Sequence, residues 1–478
     1  MGATEAFTIE VSTLRTALKL SSTLIFLITM AVGLPAPAAA QMNVLYNFNG
    51  VSDGCNLGDQ TLTQGRDGKL YGSTVTGNVY RRGTVFQIGT DGTYHLVHVM
   101  GGPTGGYLAW TGVILGTDGF LYGDTQYTTA PKPTGLGILY KVSSGGSFAT
   151  LANLTGTQVG YPLSQLVETP SHFFYGTSAG GNSAAHAGAV FQLNSAGTVT
   201  ILHSFDSLDG FMPGNEPLAV GPDGALYGTT LDFGEGTNAS GTAYRLTQTG
   251  QFTLLYTFIV PVNTSANPQG LIAAEDGNFY GTTQGSIGLD GTVYRMTSAG
   301  VLTTLHTFTG GTDGNSPTWT LAPGADGRLY GVTQFGGANG TGVVFSVGTD
   351  GSFQVEYNFP NGAGEYAEAG LIQHTNGLFY GTMQGTNGCG SIYSLDFGFG
   401  PFVKTVLNAG KVGSQAEILG QGLTGTTSVT FNGVPATFTV VSDTYLTATV
   451  PSGATTGPIQ ITTPTGVLNS NKSFDVLP

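Results

Sequence analysis

The sequence predicts an all-β protein: a seven-bladed β-propeller closed by its own N-terminal strand, followed by an immunoglobulin-like β-sandwich. Three observations carry that prediction. Gly supplies 78 of 478 residues and charged residues only 9 %, against a typical ~25 % charged, which is the composition of a turn-rich sheet protein. The dipeptide Tyr-Gly recurs at Tyr71, Tyr122, Tyr175, Tyr227, Tyr280, Tyr330 and Tyr380, at spacings of 50 to 53 residues; a unit of roughly 40–50 residues with four short strands is a propeller blade. The seventh unit lacks a fourth strand, and an orphan copy, Leu45-Tyr46-Asn47-Phe48, stands before the first. A ring needs that exchange to close its open sheet edges, whereas an open array does not.

The elements follow in order. Arg15 and Lys19 precede an apolar run from Leu20 to Leu34, and Ala38-Ala39-Ala40 follow it. Basic flank, apolar segment and small residues are the order of a secretory signal peptide over residues 1–40, cleaved near Ala40. The run is interrupted by Ser21, Ser22, Thr23 and Thr29, short of the ~20 apolar residues of a span. The sequence therefore predicts an extracellular or cell-surface protein with no transmembrane segment in the mature chain.

The propeller is assigned to residues 41–398, about 51 residues per blade. One residue before each Tyr stands Leu or Phe, and nine before it Leu or Val, so burial sets the register. Between these marks lies Asp67-Gly68, Asp118-Gly119, Asp223-Gly224, Asp276-Gly277, Asp326-Gly327 or Asn376-Gly377, read as a tight two-residue hairpin. The third repeat departs, with Pro170-Ser171-His172. A Gly-rich loop leads to a third strand such as Gly83-Thr84-Val85-Phe86, and a second turn to a fourth such as Leu202-His203-Ser204-Phe205. Cys55 and Cys389 both fall at the seam of the predicted ring, so a disulfide between them is expected to lock its closure.

From Pro401 the repeat stops. Lys404–Leu407, Gln415–Gly420, Ser428–Phe431, Thr437–Val441, Tyr445–Val450, Ile459–Thr462 and Ser473–Val476 read as short strands, giving an immunoglobulin-fold domain at 399–478. Ala416-Glu417-Ile418-Leu419-Gly420-Gln421-Gly422-Leu423, Val429-Thr430-Phe431-Asn432-Gly433, Leu446-Thr447-Ala448-Thr449-Val450-Pro451 and Gly457-Pro458-Ile459 together resemble the IPT/TIG domain over nearly all of this region. In the repeats, the strings at 226–230, 83–86 and 202–205 resemble the GloVer-type tandem repeat of bacterial surface and secreted proteins. That resemblance implies export and repetition and brings no activity or functional residues.

Several chemistries are excluded. Net charge is −14, the wrong sign for a nucleic-acid partner. No His-Glu-x-x-His, Cys cluster or nucleophile elbow occurs, and each hairpin Asp stands alone rather than in an alternating calcium loop. No cofactor and no metal site is predicted. His98, His203 and His306 share one repeat slot and so lie far apart round a ring. The candidate ligand face is the loop face between second and third strands: Tyr107, Trp110, Tyr127, Asp232, Phe233, Glu235, Trp319 and Phe335. The primary expectation is a secreted, non-enzymatic binding protein presenting that face to a glycan or a surface protein. Two alternatives stand beside it: an extracellular polysaccharide hydrolase or lyase using Asp206, Asp209, Asp232 and Glu235, and a structural protein of an envelope matrix.

Overall fold

Seven of the sheets are built the same way. The computed structural model describes residues 40–478 except 59–60, 78–81, 102–104, 129–135, 155–158, 181–186, 207, 233–238, 260–265, 286–289, 362–365, 368 and 386–387. The segment up to residue 39, where the sequence predicts a signal peptide, and Phe233 and Glu235 lie outside the described residues. No helix occurs among the described residues, and none is long and apolar enough to cross a membrane.

In each repeat four antiparallel strands follow one another in sequence order, as in Thr63–Gln64, Leu70–Thr74, Thr84–Ile88 and Tyr94–Val99. In the third and fourth repeats the first strand is split in two, which makes five. The last sheet differs: its fourth strand is Gln41–Asn47, paired antiparallel with Ser391–Asp396. Each sheet packs on the next through an apolar cluster, and the cycle returns to its start, where Phe48, Leu62 and Phe86 meet Tyr380 and Ile392. Cys55 and Cys389 are joined across this seam, with Cα atoms 4.1 Å apart. The arrangement is propeller-like.

The Tyr-Gly mark has a packing cause. The Gly lies under the aromatic ring of the third strand: a Cβ at Gly123 would sit 2.5 Å from the Tyr140 hydroxyl, and one at Gly331 would sit 2.4 Å from Phe345 Cζ. The Tyr fills the interface between sheets and sends its hydroxyl back to the hairpin. Tyr71, Tyr122, Tyr280 and Tyr330 donate to Asp67, Asp118, Asp276 and Asp326 at 2.9, 2.7, 2.7 and 2.9 Å. The same Asp accepts the N–H two residues on, as Asp67 does from Lys69 at 3.2 Å. The two-residue hairpin is corrected to a three-residue one. Gly65 N–H donates to Lys69 O at 2.8 Å, Gly68 N–H donates to Gly65 O at 3.1 Å, and Gly68 takes the left-handed φ of 72°. This is a type I turn closed by a left-handed residue, so Asp is selected for its side-chain bonds and Gly for its φ.

The C-terminal region forms two four-stranded sheets, with Gln415–Leu419 and Tyr445–Thr449 central in one and Ser428–Phe431 and Ile459–Thr463 in the other. They enclose one core containing Ile418, Val429, Phe431, Leu446, Ile459 and Ile461. This module seats on the hairpin side of the ring, on the first, fifth and seventh repeats. Thr444 Oγ1 donates to Arg66 O at 2.7 Å, Ser473 N–H to Glu275 Oε1 at 2.9 Å, and Phe402 N–H to Thr375 O at 3.1 Å.

Candidate functional site

Because the module grips those three hairpins, it stands over the second, third and fourth as a roof. A cavity of about 1020 Å³ lies between them. Its ring wall includes Val167, Leu218 and Ile272, and its roof includes Val406, Leu407 and Phe474. A second cavity of about 290 Å³ shares Ile114, Leu166, Val167 and Glu168 with the first. Volumes near 1000 Å³ with aliphatic walls and few polar groups suit an organic ligand of a few hundred daltons.

Gln165, Glu168, Ser171 and His172 on the ring wall come from the third repeat, the one whose hairpin departs from Asp-Gly. Thr169 to His172 still close a turn, with His172 N–H donating to Thr169 O at 2.8 Å, and His172 takes the left-handed φ of 58° that Gly takes elsewhere. Tyr175, lacking an Asp, donates instead to Gln248 Oε1 at 3.1 Å. Glu168, four residues before His172, is buried. Its Oε2 accepts Thr117 N–H at 2.8 Å and its Oε1 accepts Thr117 Oγ1–H at 2.6 Å. His172 Nδ1 lies 3.2 Å from Glu168 Oε1 and 3.0 Å from Thr117 Oγ1. The carboxylate can only accept, and the Thr117 hydrogen is already given to it. His172 Nδ1 therefore carries a proton and donates it to the carboxylate and the hydroxyl oxygen. The ring itself is 67 % exposed and lines the large cavity, while Glu168 is 4 % exposed. A fixed carboxylate that orients an imidazole in this way can serve as part of a general-base pair.

Around this pair the charges are paired or desolvated. Arg66 clamps Glu417, with Nη2 at 2.8 and 2.7 Å from its two oxygens and Nε at 3.2 Å, and also donates to Thr117 O at 2.7 Å. Burial raises the Glu417 carboxyl, and the Arg66 bonds oppose that rise. At the far lip burial lowers Lys472, and burial together with Glu275 raises Asp475. Among the described residues no group of three or more His, Cys, Asp or Glu could hold a metal ion.

The residues expected to form a ligand face are placed elsewhere, on the other side of the ring. Tyr107 stacks on Tyr127 with ring centroids 5.0 Å apart, and Phe335 packs edge-on against Tyr366 at 4.9 Å. Trp110 is half-buried, Asp232 is exposed, and Trp319 is half-buried with its indole N–H enclosed. Apart from the Tyr107–Tyr127 stack, no ring contact among the described residues joins these groups to one another. Two carboxylates of the hydrolytic alternative hold a turn together: Asp209 Oδ2 binds His203 Nε2 at 2.8 Å and its Oδ1 accepts Asp206 N–H at 2.7 Å, while Asp232 is exposed and Glu235 lies outside the described residues. His306 and Asp313 repeat the device at 3.1 Å. Sequence reasoning missed Glu168 and His172; their signal was the departure of the third hairpin from Asp-Gly.

A ring of sequential four-stranded sheets with a roofed cavity on its hairpin side defines the class: an all-β, propeller-like protein. The chain belongs to the Gloeobacter/Verrucomicrobia repeat family, whose repeat matches residues 25–235 and 213–439. No curated protein matches the sequence. Among solved structures it is similar to a catalytically inactive variant of virginiamycin B lyase from Staphylococcus aureus with quinupristin, at 17 % identity and a TM-score of 0.51, covering 74 % of this chain and 99 % of that one. A gluconolactonase from Xanthomonas campestris is similar at 16 % identity and a TM-score of 0.37, covering 62 % and 87 %. A puromycin hydrolase is similar at 13 % identity and a TM-score of 0.45, covering 83 % and 55 %. These comparisons correct one expectation. The sequence pointed to a non-enzymatic binding protein, yet the fold is shared with a lyase. The fold is one that enzymes use, and the binding-only reading is withdrawn.

Proposed function

We propose that this chain is a hydrolase or lyase whose active site is the cavity between ring and module, with His172 as general base and Glu168 as the carboxylate that orients it. The observation that carries this reading is the Glu168–His172 contact of 3.2 Å at a cavity of about 1020 Å³. Proton abstraction by the imidazole serves either chemistry: from water in hydrolysis, or from a carbon next to a carbonyl in elimination. The lining favours a medium-sized, partly aliphatic substrate over a polysaccharide, since its only ring-bearing residues besides proline are His172 and Phe474, and sugars are held on aromatic platforms.

In the same reading the seven sheets are the blades of a closed seven-bladed propeller, the C-terminal module is an immunoglobulin-like domain of the IPT/TIG kind, and the chain is exported after cleavage near Ala40. Burial of the repeat marks supports the first, the two-sheet core the second, and the basic-apolar-small order of residues 15–40 the third.

The test is turnover by the purified full chain of p-nitrophenyl hexanoate and of a β-eliminating aryl uronide. His172→Ala should lower kcat on the accepted substrate by about 10²-fold or more, and Glu168→Gln should lower it less, with melting temperatures unchanged for His172→Ala. Equal turnover by wild type and His172→Ala, or none on either compound, overturns the assignment.

A further inference from the structure

The small cavity holds a cation that no carboxylate among the described residues neutralises. Lys404 lies on the module strand Lys404–Thr405, which pairs with Gln415–Leu419, and its side chain turns down to the ring. Its one hydrogen-bond acceptor is Gln373 O, at a long 3.4 Å. Among the described residues no carboxylate is paired with it. Two titratable groups face it from the elements packed against it. His374, on the seventh hairpin, is buried, with Nε2 3.0 Å from Gly68 O, and is held far below the ordinary imidazole range by burial and by Lys404 itself, at about 4. Glu168 lies across the cavity, with both oxygens committed to Thr117 and His172. The remaining walls are aliphatic: Ile114, Leu115, Ile372, Leu407 and Leu419.

An ammonium in such a place pays desolvation with no counter-charge, and the amine form is the cheaper one. We propose that Lys404 is a carbonyl-capturing amine, which takes an aldehyde or ketone bearing a short aliphatic chain as a reversible imine in the 290 Å³ cavity. The Nζ lone pair adds to the carbonyl carbon and the C–N bond forms. The two hydrogens of the neutral amine leave with the carbonyl oxygen as water, the C–O bonds break, and a C=N bond replaces them. No oxidant or reductant is consumed. Burial brings the Lys404 ammonium down to about 7, so roughly half of it is neutral near pH 7.

This site is separate from the His172 base and stands or falls without it. The experiment incubates the purified full chain with propanal and cyanoborohydride at pH 6.5 to 9 and maps propylated lysines by peptide mass. At pH 7 Lys404 is expected to label at least about tenfold faster than the exposed Lys411, and His172→Ala should leave that labelling unchanged. Lys404→Met should remove the fast-labelling site. Formaldehyde, the smallest aldehyde, is the second probe, so that exclusion of propanal by size is not mistaken for an unreactive amine. Labelling of Lys404 no faster than that of Lys411 with both aldehydes overturns the proposal.

Discussion

Replacing Asp124 with Asn should stabilise the protein above neutral pH and do nothing near pH 4. Asp124 lies on the strand Leu121–Thr125 and is fully buried. Its Oδ2 accepts Thr111 Oγ1–H at 2.9 Å, and its Oδ1 has no hydrogen-bond partner among the described residues. Burial raises the carboxyl to about 7, against the pull of the Thr111 bond. In the unfolded chain an Asp titrates near ~3.9. The folded value is the higher one, so the stability linked to this group is fully present below ~3.9 and is lost as pH rises through about 7. About three units at ~1.36 kcal/mol each is roughly 4 kcal/mol at pH 8 as an upper bound. With an unfolding entropy of ~2.1 cal/mol/K per residue, a unit of this size gives up about 0.9 kcal/mol per degree, so the gain in Tm at pH 8 is about 4 °C or less. The Tyr140 hydroxyl, buried and without a hydrogen-bond partner among the described residues, is raised by burial and further by the charge of Asp124. Asp124→Thr is the control. It installs the residue of the same slot at Thr177 and Thr229, whose hydroxyls donate to the next repeat at Gly214 O and Gln269 O. The assay is Tm against pH from 4 to 9 for the three proteins. Wild-type and Asn curves that run parallel would refute the argument, because the difference must open only as Asp124 ionises.

Two further outcomes follow from the seams of the molecule. Arg66→Met strips Glu417 of its cation, and with Arg66 29 % and Glu417 14 % exposed the loss is about 2–3 kcal/mol, below that of a fully buried pair. The Glu417 carboxyl is already raised and rises further without Arg66, so the deficit should be largest at pH 8 and shrink towards pH 4, read by urea unfolding at both. Replacing Cys55 and Cys389 with Ser releases a loop of 334 residues and should cost up to about 5 kcal/mol, seen as a lower denaturation midpoint that reductant no longer shifts.

The ring was legible because it is written seven times. A single Asp-Gly or Tyr-Gly says little, but the same pair at a fixed interval of four residues, repeated, points to one physical contact. That contact is the Tyr71-to-Asp67 bond and its copies. What repetition could not give was the reason for the Asp. Turn chemistry alone suggested a two-residue hairpin, whereas the Asp carboxylate divides itself between a backbone N–H and the tyrosine four residues on, and the turn has three residues. The exchange of Gln41–Asn47 into the last sheet was equally legible, since an incomplete unit at one end and a spare strand at the other fit only each other.

The site was hidden for the opposite reason. Periodicity treats the hairpins as equivalent, and it attends to the loops that vary most, which lie on the other side of the ring. The hairpin side gains chemistry only where a second domain covers it, and that contact is set by single residues: Arg66 against Glu417, Glu275 against Ser473, Gln373 against Lys404. None of these pairs has a sequence signature, because each partner lies about 30 to 350 residues away in a region of different pattern. Within the repeat, the one usable signal was an exception. Six repeats spend the hairpin on an Asp or Asn and a Gly. The third puts Ser171 and His172 there and hands the tyrosine to Gln248. A Cβ-bearing residue at φ 58° is strained, and Gly at the same turn is not. Strain kept at one hairpin out of seven, beside a buried glutamate found in no other copy of that slot, is what the proposed role of His172 rests on besides its contact with Glu168.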